Sequence, residues 1–117
     1  IGPFVPAKKI KAGANLIYVS GQVGVDPKTN EMPKCVVEQA RNAMANVEKI
    51  LKASNSSFES VAKAIVYLTD MANFAKVNEE YAKWFKSGVF PARVCFAANG
   101  LPRGALVEVE VIAVEEN

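Results

Sequence analysis

The sequence predicts an α+β fold in which a single β-sheet carries two helices on one face. Three observations lead there: β-rich runs that alternate with period two, two stretches whose apolar residues recur at three and four, and the order of these patterns along the chain. That order is strand pair, helix, strand, helix, strand, strand, which supplies enough helix to cover one face of one sheet. Half of the 117 residues are apolar and 22% are charged, an ordinary globular mixture for which one domain spanning 1–117 and one core are expected.

The first element is Leu16-Ile17-Tyr18-Val19-Ser20, rich in β-formers, followed by Gly21 and then by Val23 and Val25 in alternation, which reads as a strand pair. Asp26-Pro27-Lys28-Thr29-Asn30 is a turn cluster, because proline fixes φ and Asp and Asn bond their own backbone. From Val36 to Ala53 the residues Val37, Ala40, Met44, Val47 and Leu51 form one stripe of an amphipathic helix. The polar run Ser54 to Ser57 ends it, and Val61 to Leu68 is short and apolar enough for a central strand. Asn73 is positioned to cap a second helix with the stripe Phe74, Val77, Tyr81 and Trp84 or Phe85; Gly88 lies past its end, ahead of Pro91. Two strands close the chain, Ala92 to Ala98 and Leu106 to Val114. In the last, Val107, Val109, Val111 and Ala113 share one face and Glu108 and Glu110 the other. The uncovered sheet face, with Ile112 and Val114 beside the glutamates, predicts a subunit interface.

Composition removes several classes of function. Fourteen basic and twelve acidic residues are scattered along the chain, so no basic stripe tracks a phosphate backbone and nucleic acid is not an expected partner. The absence of histidine excludes a Ser-His-Asp triad, a histidine general base and histidine-ligated zinc or iron. Cys35 and Cys95 are too few for a disulfide framework and lack CxxC spacing, which fits a reducing compartment. No apolar run approaches the ~18 residues of a membrane span. Ile1-Gly2-Pro3 lacks the basic and apolar regions of a signal peptide, so a cytoplasmic location is expected, or a mitochondrial one if a targeting segment has been removed.

In Phe90-Pro91-Ala92-Arg93-Val94-Cys95-Phe96, strand alternation puts Arg93 and Cys95 on one face and Val94 on the other. An arginine within an apolar strand needs an anion, either a carboxylate ligand held by its planar fork or an intramolecular partner, Glu108 or Glu110. Those glutamates suit an edge strand guarded against aggregation, and equally a carboxylate that orients water. Cys95 has no histidine to activate it and reads as a small buried hydrophobe. Ser20-Gly21 reads as a bulge or as backbone that a ligand approaches closely. Phe4, Tyr81, Trp84 and Phe85 read as packing, and Asp26 and Asp70 as turn or cap residues.

Several of these stretches together resemble one family. Ile1-Gly2-Pro3-Phe4, Ser20-Gly21-Gln22, Asp26-Pro27-Lys28-Thr29, Gln39-Ala40 and Asn46-Val47 match it in order. Phe90-Pro91-Ala92-Arg93-Val94-Cys95, Leu101-Pro102 and the strand from Val107 to Val114 complete the match, and in this order they are its most specific part. The pattern is that of the RidA family, also called YjgF or liver perchloric-acid-soluble protein, over essentially the whole chain. The resemblance implies a chorismate-mutase-like fold assembled as a homotrimer, with a central β-barrel, helices outside and clefts between subunits. It also implies cofactor-independent hydrolysis of enamines and imines, such as 2-aminoacrylate and 2-aminocrotonate from amino-acid dehydratases, to 2-keto acids and ammonia. Carried over by motif, Arg93 would clamp the substrate carboxylate and Glu108 would position or deprotonate water. Gly21 and Cys95 would offer backbone groups, with Ser20, Asn78 and Trp84 or Phe85 shaping the cleft. The chain departs from the family at Phe4, where tyrosine is usual; a lost neutral hydrogen bond costs about 0.5 to 1.5 kcal/mol. Relatives of this kind have also been described as ribonucleases that inhibit translation and as holdases. A non-catalytic keto-acid sensor would need the same Arg93 without Glu108.

Overall fold

A computed structural model describes residues 2–117; Ile1, the first residue of the Ile1-Gly2-Pro3-Phe4 stretch, lies outside them. The elements run β1 (Leu16–Val23), α1 (Val36–Ala53), β2 (Val61–Leu68), α2 (Phe74–Ala82), β3 (Ala92–Ala97) and β4 (Val107–Val114). They build a four-stranded sheet of order β1-β4-β2-β3, in which β4 is antiparallel to both neighbours and β3 runs parallel to β2. A parallel pair needs a crossover, and α2 supplies it.

Both helices lie on one face. Ala40, Ala43, Met44, Val47 and Leu51 of α1 pack with Val77 and Tyr81 of α2 against Val107, Val109 and Val111 of β4 and Ala64, Val66 and Leu68 of β2, all at most 2% exposed. At about 25 cal/mol per Å² of apolar surface removed from water, this single layer is the main stabilising element of the chain. The opposite face carries Leu16, Tyr18, Val94 and Phe96, which are 43, 72, 42 and 45% exposed. Ile112 and Val114, expected there, are partly shielded; the open apolar surface belongs to the strands on either side. Among the described residues no helix is long and apolar enough to cross a membrane.

The expected strand pair at the start of the sheet is one strand. Val19 pairs with Val111 and Gln22 with Val109, so Ser20 and Gly21 together face the single residue Glu110. This bulge shifts the side-chain alternation by one residue, which is why the sequence reads as two short strands rather than one. The turn cluster closes as expected: Asp26 accepts from Lys28 N at 2.9 Å, and Asp26 bridges to Glu31. Asn73 makes no side-chain cap; Asp70 caps the preceding 3-10 turn by accepting from Ala72 N at 2.9 Å.

Two amides on α1 tie the sheet to its connections. Gln39, 3% exposed, donates to Pro33 O at 2.7 Å and accepts from Leu106 N at 2.8 Å, fixing the entry to β4. Asn46 donates to Val23 O and Val25 O at 3.2 and 2.9 Å, just after β1. Two serines between α1 and β2 hold the tail: Ser57 and Ser60 donate to Glu116 at 2.5 and 2.6 Å, which lowers the pKa of that carboxyl.

Between β1 and the turn, Gly24 lies directly on α1, and a Cβ added there would overlap the backbone of Gln39. Helix backbone cannot move aside as a side-chain tip can. Gly24→Ala is therefore expected to destabilise the chain by about 1 to 3 kcal/mol, the usual cost of overpacking, read as a lower urea midpoint with an unchanged slope.

Candidate active site

Arg93 and Cys95 sit on β3 opposite Ala64 and Val66 of β2, whose side chains are in the core, so both point to the helix-covered face. Val94 and Phe96 point to the open face. For a strand with this composition the polarity is inverted: the charged residue faces in and the aliphatic one faces out.

A helical stripe accommodates the inward arginine. Phe74, Asn78 and Tyr81 follow one another at four and three on α2 and therefore share a face. Arg93 Nη1 donates to Asn78 Oδ1 at 2.6 Å. The guanidinium carbon lies 5.0 Å from the Tyr81 ring centroid, 5.8 Å from that of Phe74 and 5.6 Å from that of Phe4, within the range of cation–π attraction. Phe4 reaches it because the N-terminal segment runs beside β3, with Val5 bridged to Ala92 and Val5 N donating to Pro91 O at 3.1 Å.

The guanidinium has no carboxylate partner among the described residues, where the ion pairs are Arg41 and Lys83 with Glu80, and Lys52 with Glu48. The intramolecular alternative for Arg93, a salt bridge to Glu108 or Glu110, is not made. Both glutamates are on the opposite face of the sheet, on a strand separated from β3 by β2. Burial pushes the Cys95 thiol up, against the opposing pull of Arg93, so the neutral thiol is favoured there.

The open face holds a second constellation. Glu108 pairs with Tyr67 and Glu110 with Ile65 across β4 and β2, and Tyr67 donates to Glu110 Oε1 at 2.5 Å. That hydrogen bond, with burial and both carboxylates adding to it, raises the Tyr67 phenol to about 12 and keeps it a donor. The Glu108 carboxyl is raised by burial and then by Glu110 beside it, the direction that suits a group exchanging protons with water. It lies over the bulge, where a Cβ on Gly21 would overlap the Glu108 carboxylate. Only glycine leaves that space.

Within one chain, then, the predicted residues fall into two groups. Arg93, Cys95, Asn78 and Phe4 meet on the helix side, and Glu108 and Gly21 meet on the open side, with Ser20 exposed in the same bulge. Phe85 does not line a cleft: it is 3% exposed and packs against Phe58, Tyr81 and Phe90. Trp84 packs against Phe58 and donates to Glu80 Oε2 at 3.2 Å, part of the bracing between the helices. Phe74 and Tyr81 read from sequence as core; the signal that marks them as the arginine's walls is their spacing from Asn78. Tyr67 is the partner of Glu110 that the sequence does not single out; the pairing of β2 with β4 brings both to the open face. No group of three or more metal-ligating side chains gathers among the described residues.

A family profile described as Endoribonuclease L-PSP matches residues 1–115. The mouse 2-iminobutanoate/2-iminopropanoate deaminase is 44% identical over 116 residues, covering 98% of this chain and 83% of that protein. A RutC family protein of Pyrococcus horikoshii is 44% identical over 117 residues, covering 99% of this chain and 90% of its own. Among solved structures, E. coli TdcF with bound serine superposes with a TM-score of 0.83 at 36% identity, covering 99% of this chain and 91% of that one. The E. coli YjgF gene product gives 0.83 at 35% identity, with 95% and 93% covered. A profile match over nearly the whole chain, together with relatives of this identity and coverage, makes the chain a member of the L-PSP family, the RidA or YjgF family that its motifs resemble.

Proposed function

We propose that this chain hydrolyses small 2-imino acids, formed from their 2-enamine tautomers, to 2-keto acids and ammonia, and that it does so without a cofactor. The observation that carries this reading is Arg93: an inward-facing guanidinium walled by three rings, with one nitrogen held by Asn78 and no carboxylate partner among the described residues. A partly buried cation without a counter-ion is under-satisfied, and a ligand carboxylate supplies what the chain does not. The names of the mammalian relatives and the serine bound to TdcF support an amino-acid-like ligand.

The chemistry asks little of the protein. An imine carbon is already electrophilic, so a water molecule placed against it adds, its proton passes to the nitrogen, and the carbinolamine collapses to ketone and ammonia. Arg93 fixes the carboxylate and hence the carbon next to it. Glu108 orients the water and passes the proton; burial and the neighbouring Glu110 raise its pKa, the direction that suits both tasks.

Because these residues stand on opposite faces of one sheet, we propose that the reaction takes place where two copies meet, Arg93 from one and Glu108 from the next. The exposed Tyr18, Val94 and Phe96 support a homotrimer that closes its open sheet faces into a central barrel. RNA cleavage, the activity in the family profile's description, finds less support: the net charge is +2, and the aromatic rings at the site surround an arginine rather than offering stacking faces.

The test adds the purified, assembled chain to a threonine dehydratase and follows keto-acid release. Release faster than spontaneous imine hydrolysis is expected. An unchanged rate would overturn the enzyme and leave a carboxylate sensor built on the same arginine.

A further inference from the structure

The side chain that the mechanism above leaves unused is Tyr81. Its hydroxyl is the one buried side-chain polar atom without a hydrogen-bond partner among the described residues, and the residue is 1% exposed. A buried donor left unpaired is costly, and phenylalanine would fill the same space without that cost. The neighbouring positions make the contrast: Phe85 and Phe90 belong to the same aromatic cluster and carry no hydroxyl.

Its surroundings are those of the carboxylate site. Of the three rings around Arg93, that of Tyr81 is nearest, at 5.0 Å from the guanidinium carbon, and it projects from the same face of α2 as Asn78. The two groups whose charges act on the phenol are Arg93 and Cys95. Burial raises its pKa, so at neutral pH it is a neutral donor. Arg93 lies over the ring, so an anion drawn to the guanidinium arrives beside the residue that carries the unpaired hydroxyl.

We propose that Tyr81 is a second carboxylate-binding residue, its buried hydroxyl donating to the ligand oxygen that Arg93 draws into the site. This rests on the proposed binding of an imino or keto acid at Arg93 and names the partner that makes such binding selective for the carboxylate over its neutral analogues.

The experiment compares the assembled wild-type chain with Tyr81→Phe in calorimetric titrations of 2-oxobutanoate and 2-oxobutanamide, with thermal unfolding measured alongside. The expected result is a higher melting temperature with about tenfold weaker binding of the acid, and a smaller loss toward the amide, whose neutral oxygen accepts a weaker hydrogen bond. Equal affinity of the two chains for 2-oxobutanoate would overturn the role of Tyr81 while leaving Arg93 intact, since the hydroxyl would then meet only trapped water. An equal loss toward acid and amide would also overturn it, as the mark of a repacked pocket. No binding of 2-oxobutanoate by the wild-type chain would overturn both this role and the Arg93 reading on which it rests.

Discussion

Arg93→Ala is expected to lower kcat/KM for imine hydrolysis by at least about a hundredfold, because hydrogen bonds to a charged group contribute roughly 1.5 to 3 kcal/mol each and the bidentate clamp makes two. The loss should appear in both parameters: the carboxylate is bound less tightly, and the imine carbon is no longer held against its water. Arg93→Lys should recover only part of the rate, since an ammonium keeps the charge but not the planar fork that meets Asn78 and a carboxylate together. The fold should survive, because the guanidinium occupies the outer end of the helix layer and the residues behind it, Tyr81 and Phe85, remain packed on each other at 4.9 Å. Steady-state kinetics in the dehydratase-coupled assay check this. A variant with wild-type kcat/KM would remove Arg93 from the site.

Glu108→Gln is expected to lower kcat by about a hundredfold or more while leaving keto-acid binding unchanged, the usual loss for a positioned acid–base group. The pH profile separates this from a packing effect. Burial and Glu110 raise the Glu108 pKa, and the carboxylate is the form that accepts a proton from water. The wild-type rate should therefore fall as pH drops through a value above the ordinary carboxylate range. Glutamine cannot titrate, so that acid limb should vanish in the variant. An acid limb that persists in Glu108→Gln would assign it to another group, with Glu110 the neighbour to test.

Much of the architecture was legible in the residues. The helix from Val36 to Ala53 and the strand from Val61 to Leu68 have the boundaries their patterns predict, because a long stripe fixes the helical period and the shortness of an apolar run favours a strand. The bulge that Ser20-Gly21 suggests is present, but it lies within one strand rather than between two, because one extra residue breaks the alternation without breaking the strand. The site was half legible. Period two separated Arg93 from Val94 and Glu108 from Val109, but it does not say which face of one strand matches which face of another. On β3 Arg93 shares the inward face with Cys95, because α2 offers an amide acceptor and aromatic rings that suit a guanidinium better than the open face would. The residues that wall the guanidinium, Phe74 and Tyr81, are marked only by their spacing from Asn78, since aromatic residues on a helix stripe otherwise look the same whether they pack a core or flank a cation.

The separation of Arg93 and Glu108 by the thickness of a sheet also has a genetic side. If each reaction centre is assembled from two chains, damage to the arginine and damage to the glutamate are different lesions, and a chain bearing one still carries the intact half that the other lacks. Two inactive alleles expressed together would then rebuild working centres at some of their shared seams, whereas either allele alone would build none. In such an assembly, the sheet that keeps the two residues apart would make catalysis a property of the chains together rather than of any one copy.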